Sequence, residues 1–275
     1  MSTLVCFHAH PDDECLATGG TIARASAEGH RVVLVVATDG AHGEVPQDLE
    51  PGETLVDRRA KEVAASAKVL GIARLEMLGY KDSGMTGWSQ NSDPGAFINA
   101  DVEVAAQNLA KILKEENADA VTIYDWHGNY GHPDHIKAHQ VAMRAAELAT
   151  EAGWEISKIY WNTIPVSVIE EGITALKGTG TDFFGVEKAE DFPFAKPDHL
   201  VTSVVTAEAF VDKKMAAMKA HPTQISLDGP FFALSNNLGL KVWGKEFYQL
   251  VKGEKQPPFD ENGREIDLFS GVTNR

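Results

Sequence analysis

At 275 residues the chain can bury a sizeable core, which excludes a small scaffold held together by disulfides. Forty acidic against 25 basic residues give a formal net charge of −15, which argues against nucleic acid or an anionic membrane surface as the main partner. The two cysteines, Cys6 and Cys15, match no common zinc or redox spacing; with no apolar run near the ~20 residues of a membrane span and no secretory leader pattern, the sequence predicts a soluble, cytoplasmic protein.

In chain order, residues 3–7 (TLVCF) predict a strand that stops at His-Pro and the acids Asp12, Asp13 and Glu14, with Pro11 suited to a first helical position. Residues 14–28 carry helical periodicity, with Gly29 at the C-cap, and 31–38 (RVVLVVAT) is a continuous β-branched run typical of a parallel strand covered on both faces. Strand, helix and strand make a βαβ unit, in whose sheet ligands gather at the carboxyl ends of the strands. Gly19 and Gly20 lie too deep in the helix to cradle a dinucleotide phosphate. A helix over 55–70 closed by Gly71, a strand over 74–79, a long functional connection over 80–100, a helix over 101–115 and a strand over 118–125 follow. A helix then runs from Pro133 towards Ala152, and 158–165 is a further strand. Beyond it, 166–176 reads as helix, 177–199 as loop, 200–206 as strand and 207–220 as helix with Lys213, Lys214 and Lys219 outermost; 225–275 mixes short apolar pieces with a polar tail that frays. The whole is expected to be one unit, a core over 1–165 with an extension over 166–275 packed on it.

Two stretches, HPDD at 10–13 and HPDH at 132–135, each follow an apolar strand. Adjacent parallel strands would bring His10, Asp13, His132 and His135 into one crevice. Three nitrogen or oxygen donors with an open position make a catalytic zinc site, and two histidines with one carboxylate are a frequent set. His139, one turn beyond His135, is expected to sit behind the site or in packing, and His8 to share a face with His10.

AHPDDE at 9–14 and GHPDH at 131–135 resemble the two signature motifs of the LmbE-like (PIG-L-like) zinc-dependent de-N-acetylases. The resemblance extends through RRAKE (58–62), DSGM (82–85), INADV (98–102) and AHPTQ with DG (220–229), nearest the mycothiol-pathway branch. It implies an α/β fold, a Rossmann-like, mostly parallel sheet flanked by helices with a C-terminal α+β extension. It also implies one Zn2+ per chain on His10, Asp13 and His135, with iron(II) suited to the same donors. Asp12 would be the general base, and His132 an imidazolium that stabilises the oxyanion, oriented by Asp134 and assisted by Tyr130. Arg59, Asp82, Met85 and Glu44 would meet the substrate, a small amino-sugar. Gly40-Ala41 stands where relatives often carry Gly-Glu, which leaves the substrate's distal group open. The implied reaction is removal of an N-acyl group from an N-acetylglucosaminyl conjugate; cleavage of mycothiol S-conjugates, or deacetylation of another glycosylated small molecule, is the alternative, and the sequence leaves any homo-oligomer undecided.

Overall fold

The computed structural model describes residues 1–176, 185–192, 195–227 and 244–272. Among them, β1 (Thr3–His8), β2 (Arg31–Thr38), β3 (Arg74–Tyr80), β4 (Ala120–Ile123) and β5 (Lys158–Pro165) pair in parallel in the order β3-β2-β1-β4-β5. The short β6 (Ala195–Lys196) pairs with the end of β5. β7 (Ser203–Thr206) and β8 (Lys245–Lys252) extend the same sheet, β8 running antiparallel between β5 and β7. The sheet is thus mostly parallel, with an antiparallel margin supplied by the C-terminal part.

Helices cover both faces, as the uninterrupted apolar strands require. One core packs alternate residues of β1, β2 and β4 against α4 (Val102–Glu115) and α6 (Pro133–Glu151). The other packs the remaining residues against α2 (Gly19–Ala27), α3 (Leu55–Leu70) and α8 (Val211–Lys219), while α7 (Val166–Leu176) follows β5 directly. The chain builds outward from β1 through β2 to β3 and then returns to the other side of β1 with β4. A crevice therefore opens between the carboxyl ends of β1 and β4, where the order reverses.

Several expectations are corrected. Residues 14–28 form two helices, α1 (Asp13–Ala17) and α2, broken at Thr18, whose hydroxyl bonds back to the Glu14 carbonyl at 3.0 Å. Pro133 opens α6 as expected. Pro11 does not open α1: Asp12 follows it at φ 120° and the helix begins at Asp13. Lys214 is buried rather than outermost, because Glu246 on β8 lies 2.6 Å from its Nζ and also accepts the Gly20 and Thr21 N–H groups at the start of α2. The strand expected over 200–206 is shorter, since residues 198–200 form a 3-10 turn. The described part of 225–275 is anchored, not frayed. Glu265 is fully buried and accepts from Lys158, from the Tyr160 and Ser203 hydroxyls at 3.1 Å each, and from the Gln256 N–H at 2.7 Å. The loop expected over 177–199 lies partly outside the described residues.

Glu265→Leu leaves the buried Lys158 ammonium without its carboxylate, and urea unfolding is expected to show a loss of about 3–5 kcal/mol.

Candidate metal centre and active site

Ala9 and His10 follow β1, Ala9 still accepting the Thr38 N–H of β2 at 2.9 Å, and the chain turns sharply at Pro11-Asp12 into α1, which delivers Asp13. Across the crevice, Tyr124 and Asp125 follow β4. A short helix α5 (Gly128–Gly131) leads to His132, which caps α6 by accepting the Asp134 N–H at Nδ1, 3.1 Å away. His135 follows in the first turn of α6.

Three donor atoms meet there. His10 Nδ1 lies 3.4 Å from Asp13 Oδ2, His135 Nε2 lies 3.4 Å from the same oxygen, and the two ring nitrogens are 3.3 Å apart. Donors held at about 2.0–2.1 Å by a tetrahedral ion stand about 3.3–3.4 Å from one another, so this triangle fits a divalent metal. The groups behind it fit as well. Asp134 Oδ2 accepts from His10 Nε2 at 3.3 Å, which fixes the tautomer with Nδ1 free. Tyr124 donates its hydroxyl to Asp13 at 2.8 Å, accepts the Ala9 N–H at 2.8 Å, and stacks on His135 with ring centroids 4.0 Å apart. Against the cost of burial, Asp13, Asp134 and Asp82 hold His10 well above the ordinary histidine range, and His135 and His10 hold Asp13 well below the carboxylate range. The pocket favours positive charge.

Three buried groupings among the described residues also bring possible donors together; one sets His132 beside His10 and His135, and the other two fit an ion less well. In His10, Asp82, His132 and Asp134 the carboxylates are already engaged: Asp134 by the Ser83 N–H at 2.9 Å and the Ser83 hydroxyl, Asp82 by the N–H groups of Gly84 at 2.8 Å and His42 at 3.2 Å. In Glu14, Cys15 and His221 the thiol donates to the Asp12 carbonyl at 3.0 Å and Glu14 is hydrogen-bonded throughout.

The remaining expected residues surround the triangle unevenly. Asp12 lines the cleft, its side chain 17% exposed, and its Oδ2 is 3.1 Å from Arg59 Nη2. Burial pushes its carboxyl up to about 6 against the pull of Arg59. Arg59 is buried and also donates to the carbonyls of Gly40 at 2.7 Å and Pro11 at 2.5 Å, so these bonds hold the loops that frame Asp12. His132 lines the same cleft, but as a neutral ring: an imidazolium has no lone pair for the Asp134 N–H, and burial with His10 and His135 alongside pushes it down to about 4. Asp134 does not orient His132 through its carboxylate, whose hydrogen bonds go to Ser83 and His10; it does so through its backbone N–H. Tyr130 is 36% exposed at the mouth, its ring 5.9 Å from that of His132. Met85 is at the rim, whereas Glu44 is exposed beside the lining residue Gly43 and tied through its backbone to Gln224. His139 sits behind the site with Nδ1 3.1 Å from the Tyr124 carbonyl, and His8 is fully buried, 2.9 Å from the Thr18 hydroxyl. The cleft measures about 650 Å³ and runs from the triangle to an apolar end at Ile164, Phe192 and Phe247.

Tyr124, Ser83 and His221 are not singled out by the sequence, and Glu14 is marked only as an acid that suits a helix start. Ser83 and His221 fall inside the stretches DSGM and AHPTQ, which was the available signal.

Residues 5–146 match the family model for GlcNAc-PI de-N-acetylase (PIG-L). The chain belongs to this family. It is 44% identical to the 1D-myo-inositol 2-acetamido-2-deoxy-alpha-D-glucopyranoside deacetylase of Acidothermus cellulolyticus, over 99% of this chain and 96% of that one. Among solved structures it resembles the N,N'-diacetylchitobiose deacetylase of Pyrococcus horikoshii (TM-score 0.60, 22% identity, 92% of this chain and 84% of that one). It also resembles GalB, the 4-carboxy-2-hydroxymuconate hydratase of Pseudomonas putida (TM-score 0.62, 18% identity, 94% of this chain and 100% of that one). A deacetylase and a hydratase thus share this fold, so the chemistry has to be argued from the site.

Tyr124→Phe removes the hydroxyl behind Asp13, and chelator competition is expected to show divalent-metal affinity reduced about 10–100-fold. In the wild-type protein the raised His10 makes protons compete with the metal. Apparent affinity should fall as pH falls through neutrality, with proton release on binding, both measurable by titration calorimetry in buffers of different ionisation enthalpy.

Proposed function

We propose that this chain is a zinc-dependent deacetylase that hydrolyses the amide of a 2-acetamido sugar on an inositol-type conjugate, releasing acetate and the free amine. The observation that carries the reading is the 3.3–3.4 Å triangle of His10, Asp13 and His135 with Asp12 beside it, in a chain 44% identical over nearly its full length to a deacetylase of that substrate. A zinc ion bound by these donors would polarise the amide carbonyl and acidify water, both of which an unactivated amide requires at neutral pH.

The chain's own residues do the rest. Asp12 accepts the proton of the attacking water and returns one to the departing amine; a carboxyl raised towards neutrality suits both transfers. With Nδ1 of His132 occupied by the Asp134 N–H, its proton resides on Nε2, the nitrogen left to donate to the developing oxyanion without a charged ring. Tyr130 adds a second donor from the mouth of the cleft. Asp82 and Met85 meet the sugar, and Arg59 acts mainly by holding Asp12 and its loops. Cys6 and Cys15, both buried free thiols, support a reducing, cytoplasmic setting, and no described helix is long and apolar enough to cross a membrane.

Zinc-loaded protein is expected to release acetate from N-acetylglucosaminyl-inositol, with Asp12→Asn lowering kcat about 10²–10⁴-fold while zinc stays bound. Parallel assays with mycothiol S-conjugates separate the amidase alternative: turnover of those conjugates alone, or of no N-acetylglucosaminide, would contradict the reading.

A further inference from the structure

Asp12 has φ 120° and ψ −29°, outside the regions open to residues with a side chain. Such a conformation costs about 1–3 kcal/mol and persists only where the surroundings impose it. Its carbonyl accepts from Cys15 Sγ at 3.0 Å and its carboxylate is held by Arg59, but its amide has a different partner: the N–H points at Glu14 Oε2, 2.9 Å away. Glu14 is fully buried. Its other oxygen accepts the Ser66 hydroxyl at 2.5 Å and His221 Nε2 at 2.7 Å, and His221 is fully buried too.

His221 comes from 207 positions away in the chain, in the turn that ends α8. That turn is pinned to α3: Thr223 donates its hydroxyl to Glu62 at 2.7 Å, and Glu62 is itself buried. A buried carboxylate and imidazole are expensive to desolvate, and apolar residues of similar volume could fill the space at no such cost. What the pair provides that apolar residues could not is an acceptor, fixed in place, for the Asp12 amide.

We infer that Glu14 and His221 are positioning residues: the C-terminal extension clamps the backbone of Asp12 through them and so aims its carboxylate. This rests on the reading of Asp12 as the base. Glu14 is thus more than a favourable charge at a helix start, and the extension is part of the catalytic arrangement although it contributes no donor to the triangle.

The test is a double-mutant cycle on the zinc-loaded full chain with an N-acetylglucosaminide. His221→Leu is expected to lower kcat about 10–100-fold, as misplacement of a catalytic group by about 1 Å does, with KM within about threefold and zinc content unchanged. His221→Gln, which keeps an N–H for Glu14, should recover most of the loss. In an Asp12→Asn background the same His221→Leu change should cost less than about twofold, because residues that act through one another are not additive. Should His221→Leu fail to fold, Ser66→Ala enters the same cycle with a smaller loss of the same pattern. An equal fold-loss in both backgrounds, or a loss confined to KM or zinc content, would overturn the inference while leaving the base assignment standing. Full activity of Asp12→Asn would overturn the base assignment itself, and the inference with it.

Discussion

Two imidazole nitrogens and a carboxylate oxygen, held within 3.4 Å of one another in a buried crevice, cannot all present lone pairs to the same point unless a positive charge lies among them. The surrounding structure is arranged around that demand. The sheet reverses its order between β1 and β4, so two neighbouring strands deliver the donors from opposite sides of one crevice. Tyr124 props the carboxylate, Asp134 fixes the His10 tautomer, and the capping of α6 by His132 sets the turn from which His135 projects. Against the cost of burial, the attraction between ring and carboxylate raises His10 and lowers Asp13.

Asp12 illustrates the cost of placing a further carboxylate beside such a cluster. Its neighbours Asp13 and Glu14 both enter α1, yet its own backbone is turned out of any helical conformation, so that three consecutive acids face three different environments. Asp13 joins the triangle, Glu14 is sealed beneath α3 and α8, and Asp12 stays at the cleft wall against Arg59. Local backbone strain of this kind persists only where the surroundings impose it, here through Arg59, Glu14 and Cys15.

The fold was legible in the sequence where it depends on local pattern. Continuous β-branched runs such as residues 31–38 announce parallel strands covered on both faces, and the two His-Pro-Asp junctions mark the crevice because donors and strand ends are contiguous in the chain. What could not be read depends on distant partners. Tyr124 reads as an ordinary strand-end aromatic until it meets Asp13, 111 positions earlier. Lys214 reads as an outward helix lysine because Glu246, which draws it into the core, is 32 positions away. The two junctions also look equivalent on paper, each with Pro after His. Only the amide of Asp12 and its carboxylate partner make the first a strained turn while the second is a regular helix start.

Zinc-edge X-ray absorption on protein loaded with one equivalent of metal reads the identity of the three donors. The expected spectrum is that of a four-coordinate nitrogen and oxygen environment at about 2.0–2.1 Å with two imidazoles, reduced to one imidazole in His135→Ala. A sulfur scatterer at about 2.3 Å, which would bring in Cys15, or a spectrum unchanged by His135→Ala, would contradict it.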